Sequence, residues 1–158
     1  MDAIVLLKAD HKTVERLFKQ FEKAGDDDYA GKRRLVDQMI EELSVHAFIE
    51  EHIFYPEARE AVPETEDHVL ESLEEHHIVK WVLSELQGMD PHEERFDAKV
   101  TVLIENVRHH VDEEENEWFP EVRKGLGRKV LQDLGARLEA AKKTAPRDPR
   151  PRADDEPA

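Results

Sequence analysis

The chain has no cysteine, and this absence removes several kinds of site at once. Disulfide bonds, thiolate zinc sites and iron–sulfur clusters all require cysteine sulfur. Any metal ion that this protein binds must therefore be held by nitrogen and oxygen atoms.

Aromatic residues are also scarce, at 6% of the 158 residues, and no apolar run approaches the length of a membrane span. The first eight residues lack the basic lead-in and the apolar stretch of a signal peptide, so we expect a cytoplasmic protein. Charged residues instead make up 39% of the chain, which is typical of long surface helices around a narrow apolar seam. This length and composition predict a single domain.

Basic residues are fewer than acidic residues, and the formal net charge at pH 7 is −15. Nucleic acids and anionic membranes would repel such a chain, so we expect neither as a partner. We expect a monomer or a weak homo-oligomer.

The chain does contain one sequence motif in two copies. His46 stands four residues before Glu50, and His110 stands four residues before Glu114; each pair is followed, after three residues, by two aromatic residues and a proline. Residues four apart lie on the same face of a helix, about 6 Å apart along its axis. Each pair could therefore bind a metal ion, and mixed imidazole and carboxylate ligands on facing helices are typical of di-iron and di-manganese centres.

A second element is duplicated as well, because an acidic residue and a histidine precede each copy of the motif. These pairs are Asp10-His11 and Glu75-His76, each followed by apolar residues at helical spacing. The repeat distance is 65 residues for these pairs and 64 for the motif, so the halves differ by one loop residue. We expect the halves, residues 1–62 and 63–125, to fold alike and pack face to face.

Apolar residues recur at helical spacing in four long segments. Helix-breaking sequences at residues 25–28, 61–65 and 88–91 separate these segments. His11 and His46 are nearly equidistant from the first of these helix-breaking sequences. His76 and His110 are nearly equidistant from the last. Antiparallel helices would thus bring all four imidazoles to one level, in an all-α, up-down-up-down antiparallel four-helix bundle over residues 1–125. Two divalent cations would stabilise the two carboxylates buried in such a core.

Several local signals refine this prediction. Pro56 and Pro120 should kink or end the second and fourth helices. Residues 90–93 have the form of a capped helix start with proline at the first helical position. A Gly-x-Gly sequence then breaks the pattern before a short fifth helix over residues 126–143, and residues 144–158 are predicted to be disordered.

In its spaced set of histidines and glutamates the chain resembles the hemerythrin-like, or HHE cation-binding, family. The resemblance covers about residues 1–125 and implies a four-helix bundle around two non-haem iron ions joined by an oxo or hydroxo bridge. The metal ligands that it implies are His11, His46, Glu50, His76, His110 and Glu114. Glu50 and Glu114 would be the bridging carboxylates.

One departure from the oxygen-carrying members bears on function. Those proteins have two histidines four residues apart on the third helix, whereas Lys80 stands four residues after His76 here. Fewer nitrogen ligands leave the iron pair more open, which favours reaction with small oxidants over reversible oxygen carriage. The resemblance thus implies a protein that binds or reduces dioxygen, peroxide or nitric oxide. The alternative is a non-catalytic iron or oxygen sensor, or a metal-storage module.

The histidines next to the proposed ligands have a simpler interpretation. His77 and His109 point about 100° away from them and are predicted to lie on the surface. A shift of one residue in the third helix would instead put His77 in the place of His76.

Three further residues could join the site. Glu51 and Glu115 are expected to be solvated, with a bridging role as the alternative if the helix distorts near the proline. Tyr55 is a candidate ligand because a phenolate can bind Fe(III) and a kink at Pro56 could turn the ring inward.

Overall fold

The structure, a computed structural model, describes residues 1–149; residues 150–158 lie outside the described part. Within residues 1–149 there is no strand, and the chain forms the predicted all-α bundle. The α-helices are α1 (Ala3–Lys23), α2 (Tyr29–Ile49), α3 (Tyr55–Ala61), α4 (Glu66–Gln87), α5 (Phe96–Glu113) and α6 (Phe119–Lys142). Two π-helical segments, Glu50–Phe54 and Glu114–Trp118, join α2 to α3 and α5 to α6, and a 3-10 turn, Pro63–Thr65, precedes α4.

Both helices of the first hairpin, α1 and α2, begin at a capping aspartate. The Asp2 carboxylate accepts a hydrogen bond from the Val5 N–H at 2.9 Å, and Asp28 accepts one from the Gly31 N–H at 3.0 Å. Both aspartates satisfy N–H groups that have no partner within the first turn of the helix. The helix α1 packs against α2, and α4 against α5, as the positions of the breakers predicted.

The apolar core is divided into two clusters. One lies at the end of the bundle that contains Phe54 and Trp118, and the other at the end that contains Phe18 and Phe96. Between them lies a layer of buried polar side chains, to which His11 contributes from the middle of α1. Burying ionisable groups between two apolar clusters costs free energy unless the groups are paired or bind metal. This layer is therefore the candidate functional site.

Pro56 and Pro120 were predicted to kink or end their helices, and the helical path continues through both positions. The Tyr55 N–H donates to the carbonyl of Glu50, five residues earlier, and the Phe119 N–H donates to the carbonyl of Glu114 in the same way. This spacing is that of a π-helix, which widens one turn by one residue. Pro56 therefore stands in the first turn of α3, a position at which helices tolerate proline.

Two other boundaries differ from the prediction. Residues 90–93 form a turn in which the Glu93 carboxylate accepts from the Asp90 N–H at 2.6 Å, but α5 begins only at Phe96. The capping contact therefore stabilises the turn between α4 and α5 instead of starting a helix. Within the described residues, none of the helices combines the length and the apolarity of a membrane span.

Residues 144–149 are more ordered than the sequence indicated. The helix α6 continues to Lys142 with a break at Gly127, whose φ of 80° favours glycine. The prediction of disorder from residue 144 is wrong for residues 144–149, where Ala145 is buried and Arg147 contacts Glu41. The remainder of that predicted segment, residues 150–158, lies outside the described residues. The break at Gly127 divides α6 into two helical parts, and a separate short fifth helix over residues 126–143 stays a prediction.

Candidate metal centre

All six predicted ligand side chains lie in the buried layer, and each is at most 8% exposed. Their nitrogen and oxygen atoms form two groups, within each of which the atoms lie no more than 4.8 Å apart. The first group is His11, His46, Glu50 and Glu114, and the second is His76, His110, Glu50 and Glu114. Two places for a cation therefore lie side by side, and both glutamates belong to both.

Each glutamate lies between imidazoles of different groups. The Nε2 atoms of His46 and His76 lie 3.1 and 3.2 Å from Oε1 of Glu50. At Glu114, the His110 Nε2 atom lies 3.1 Å from Oε2 and the His11 Nε2 atom 3.3 Å from Oε1. A carboxylate placed in this way can bridge two ions.

The first group contains polar atoms that have no hydrogen bond. Six such buried side-chain atoms occur within the described residues, and four of them are ligand atoms of this group. They are Nε2 of His11, Nε2 of His46, Oε2 of Glu50 and Oε1 of Glu114. A buried polar atom without a partner costs free energy, and a bound cation would give all four atoms a partner at once. The donor set of nitrogen and oxygen atoms thus fits a transition metal.

Each of the four imidazoles also bonds a carboxylate on its outer side. The bonded imidazole atom is Nδ1 in every case, at 2.6–3.1 Å from the carboxylate oxygen. The pairs are His11 with Glu115, His46 with Asp10, His76 with Glu51, and His110 with Glu75. An Nδ1–H group that donates outward leaves Nε2 free to face inward, as a metal ligand must.

These outer carboxylates follow the internal repeat. Asp10 precedes His11 in sequence but bonds His46, and Glu75 precedes His76 but bonds His110. The acidic residue before the first histidine of each half therefore orients the second. The duplicated acid–histidine pair is visible in the sequence, and the repeat is the signal from which the role of its acid could have been predicted.

The prediction that Glu51 and Glu115 are solvated is wrong for Glu51. The Glu51 side chain is only 4% exposed and contacts both His76 and Lys80. The Nζ atom of Lys80 lies 2.9 Å from Oε1 of Glu51. Glu115 is 30% exposed and bonds His11. The rings of His77 and His109 are exposed, as predicted.

Tyr55 enters the second group through the widened turn. Because the π-helical hydrogen bond joins residues 50 and 55, both side chains point into the bundle. The Tyr55 hydroxyl donates to Oε2 of Glu114 at 2.6 Å and lies 3.2 Å from Nε2 of His76. Phe119, at the equivalent position of the other half, stacks on His11 with ring centroids 6.1 Å apart. The two cation positions therefore differ by one phenol hydroxyl.

Electrostatics in the metal-free protein favour protonated imidazoles. Burial lowers the pKa of His46, but Glu50 and Asp10 outweigh it and raise the pKa to about 10. Burial acts in the same direction on His110, where Glu114 nevertheless raises the pKa well above its ordinary value. Imidazolium and carboxylate charges thus compensate each other, and a metal ion that binds here must displace protons.

A small cavity adjoins the histidines on the side away from Tyr55. Its volume is about 40 Å³, and it is lined by all four imidazoles. The other lining residues are almost all apolar, among them Val14, Leu43, Leu83 and Val107. A space of this size admits one water or one small molecule of two or three atoms.

The model of one protein family, described as hemerythrin HHE cation binding domain, matches residues 2–122. The chain belongs to this family. The membership predicted from the sequence is thereby confirmed, and the buried histidine and glutamate side chains of this hemerythrin HHE domain are compatible with cation binding.

Two curated proteins are similar in sequence. One is an uncharacterized hemerythrin-like protein of Schizosaccharomyces pombe, 28% identical over 149 residues, which are 94% of this chain and 72% of that protein. The other is named a DNA nickase, from a Nostoc species, and is 26% identical over 141 residues. That match covers 87% of this chain but only 38% of the Nostoc protein, so this HHE domain corresponds to less than half of it.

A solved structure has the same fold. It is a hemerythrin HHE cation-binding domain-containing protein from Mycobacterium kansasii, with a TM-score of 0.75 and 23% sequence identity. The superposition covers 91% of this chain and 89% of the other. This similarity supports the HHE fold over 91% of this chain.

Proposed function

We propose that this protein binds two iron ions between its four central helices and binds or reduces a small oxidant: dioxygen, peroxide or nitric oxide. The observation that carries the proposal is the convergence of six buried ligand side chains in two groups that share both glutamates. Family membership supports cation binding in general, and the nitrogen and oxygen ligands favour iron or manganese over zinc held by thiolates.

The roles of the residues follow from their positions. His11 and His46 would hold the first ion, His76 and His110 would hold the second, and Glu50 and Glu114, which belong to both groups, would supply carboxylate oxygens to both. Bound iron would supply one-electron redox chemistry and open coordination positions. The outer carboxylates keep each imidazole in the tautomer that directs Nε2 at the ion.

Tyr55 supplies a hydroxyl proton at the second position. Burial and the two glutamates raise the pKa of Tyr55 well above its ordinary value, so its hydroxyl is protonated at neutral pH. From there it donates a hydrogen bond to Glu114 or to a small ligand that comes within reach.

The size and polarity of the neighbouring cavity favour a small oxidant over a larger substrate. Its volume of about 40 Å³ would exclude an organic molecule of ordinary metabolite size. The apolar walls of the cavity suit dioxygen or nitric oxide. The side of the cavity that is lined by the imidazoles faces the two proposed cation positions.

Metal content is the first test. Protein expressed in iron-rich medium should contain two iron ions per chain, whereas the double variant Glu50→Gln, Glu114→Gln should contain none, because glutamine supplies neither a charge nor a bridge. The control pair Glu60→Gln and Glu117→Gln changes two exposed glutamates and should keep both ions. One ion per chain, or iron retained by the double variant, would refute the proposal.

Turnover separates the redox protein from a non-catalytic iron sensor or storage module. The iron-loaded wild type should consume peroxide, or dioxygen or nitric oxide in the presence of a reductant, faster than the double variant with iron added. Two bound ions without any consumption would favour the sensor or storage function. The net charge of −15 supports our further proposals that the protein is a monomer or a weak homo-oligomer and has no nucleic acid or membrane partner. We also propose a cytoplasmic location.

A further inference from the structure

The helix α6 brings a lysine to the outer side of the metal centre. The Nζ atom of Lys142 contacts Oδ1 of Asp10, and the other oxygen, Oδ2, accepts the bond from His46 Nδ1 at 2.9 Å. Lys142, Asp10 and His46 thus form a chain from the surface to the first cation position. The Asp10 side chain is 9% exposed and that of Lys142 is 31% exposed, so the lysine covers the carboxylate from the solvent side.

The packing of α6 on α1 fixes where Lys142 lies. At Gly135 the backbone of α6 approaches that of Met1 and Asp2 so closely that a Cβ atom would lie 2.0 Å from the Met1 carbonyl oxygen. From Gly135 to Lys142 the helix rises about 10 Å, and from Asp2 to Asp10 α1 rises about 12 Å. The second part of α6 therefore runs parallel to α1 and ends beside Asp10.

Three leucines hold this register. Leu131, Leu134 and Leu138 are buried, and they pack in the apolar cluster that includes Ile4 and Leu7 of α1. Beyond Lys142 the chain crosses to α2, where Arg147 contacts Glu41. The contact between Lys142 and Asp10 thus lies inside a packed segment and is not the random contact of a free terminus.

We infer that Lys142 is a positioning residue for the first cation position, acting through Asp10 on His46. The inference rests on the proposed metal binding, but it goes beyond it because residue 142 lies outside the matched family region, residues 2–122. This chain therefore uses a segment that follows the family domain to hold a ligand of that domain.

The same arrangement occurs inside the bundle at the second position. Lys80 contacts Oε1 of Glu51 at 2.9 Å, and Oε2 of Glu51 bonds His76 at 3.1 Å. Each cation position thus has one imidazole whose outer carboxylate is bound by a lysine. Only the lysine of the first position comes from the C-terminal helix.

The direction of the effect follows from geometry more than from charge. A lysine repels a metal ion, but Asp10 lies between them and compensates that charge. When Lys142 is removed, one oxygen of a nearly buried carboxylate loses its partner, and the carboxylate can turn to solvent through the space that the lysine filled. His46 then loses the acceptor that orients it, and the first ion is held less firmly.

A double-mutant cycle with cobalt(II) as the probe tests this inference, because its visible spectrum reports ligand geometry and its release to a chelator can be timed. Wild type should release two ions in two phases. Asp10→Ala should accelerate one phase by about 10- to 100-fold. Lys142→Met should accelerate the same phase by a smaller factor, and adding it to Asp10→Ala should cause no further acceleration.

Two controls separate positioning from a general loss of stability. Lys142→Arg keeps the charge and the donor and should restore the wild-type release rate and spectrum. Arg137→Met removes a surface ion pair with Glu57 from the same helix and should leave both phases unchanged. If Lys142→Met released both ions at wild-type rates, or accelerated release equally with and without Asp10, the inference would be wrong. A wild type that binds fewer than two ions would instead contradict the proposed function.

Discussion

Neighbouring glutamates have different roles in both copies of the motif. Glu50 points into the centre, whereas Glu51, one residue later, points toward the adjacent helix and bonds His76. A rotation of about 100° between successive residues predicts that the second glutamate leaves the centre, and this was correct. That direction leads to a helix interface and not to water, which one sequence alone does not reveal.

The Tyr55 hydroxyl gives the first prediction at the scale of the residue. Tyr55→Phe should lower the free energy of unfolding of the metal-free protein by about 1 kcal/mol, since Glu114 loses a buried donor. The fold should be unchanged, because Phe119 fills the equivalent place in the other half. Urea unfolding of the metal-free protein measures the difference.

The same variant should retain two iron ions, because all six ligands are intact. Tyr29→Phe, which changes a tyrosine remote from the centre, serves as the control for both measurements. Loss of one ion from Tyr55→Phe alone would show that the phenol oxygen is needed to hold the second ion.

At the scale of the element, the close approach of α6 to α1 depends on a single glycine. A Cβ atom on residue 135 would lie 2.0 Å from the Met1 carbonyl oxygen and 2.9 Å from the Asp2 carbonyl carbon, both of which are backbone atoms. Gly135→Ala should therefore force the helices apart and weaken the packing of the neighbouring leucines, at a cost of about 1–3 kcal/mol. Thermal unfolding of the metal-free variant measures this cost.

Gly88→Ala is the matched control for that substitution. A Cβ atom at residue 88 would meet its nearest neighbour at 3.9 Å, and the backbone φ is negative there. Its melting temperature should stay close to that of the wild type. Equal melting temperatures for both variants would mean that α6 does not pack on α1 as closely as described.

The main elements could be predicted from apolar periodicity and helix-breaking segments, and the six side chains that meet in the buried layer from the repeat. The π-helical turns could not, because proline in a helical pattern indicates a kink, an end or the first turn of a new helix with nearly the same residues. Residues 144–149 were misjudged for a related reason. Their composition is polar, but Ala145 is buried by tertiary packing that composition does not report.

At the scale of the whole molecule, the internal repeat produces a centre with approximate twofold symmetry. Each half supplies two imidazoles, one glutamate that belongs to both groups, and two outer carboxylates. The symmetry is broken by Tyr55 opposite Phe119 and by Lys142, which comes from the segment after the second half. The two proposed cation positions should therefore differ in affinity although they share both glutamates.

The last prediction concerns the stability of the metal-free molecule as a function of pH. The pKa values of His11, His46 and His76 are raised, against the effect of burial, by the surrounding carboxylates, and that of His46 reaches about 10. A histidine whose pKa is higher in the folded protein stabilises it fully below the unfolded value of 6.5 and loses that contribution as the pH rises toward the folded value. The melting temperature of the metal-free protein should therefore fall steadily between about pH 6.5 and pH 9.

The outer carboxylates have the opposite effect at lower pH. The pKa values of Asp10 and Glu51 are lowered, despite their burial, by His46 and His76, so their stabilisation is present above about pH 4.5 and is lost on acidification. The metal-free protein should thus be most stable between about pH 4.5 and 6.5.

His46→Gln should flatten the decline above pH 6.5, because the histidine with the pKa of about 10 is gone. Bound metal should offset the decline, since it takes the place of the displaced protons. A metal-free protein whose melting temperature is constant or rises from pH 6.5 to pH 9 would show that the imidazoles are neutral in the folded state.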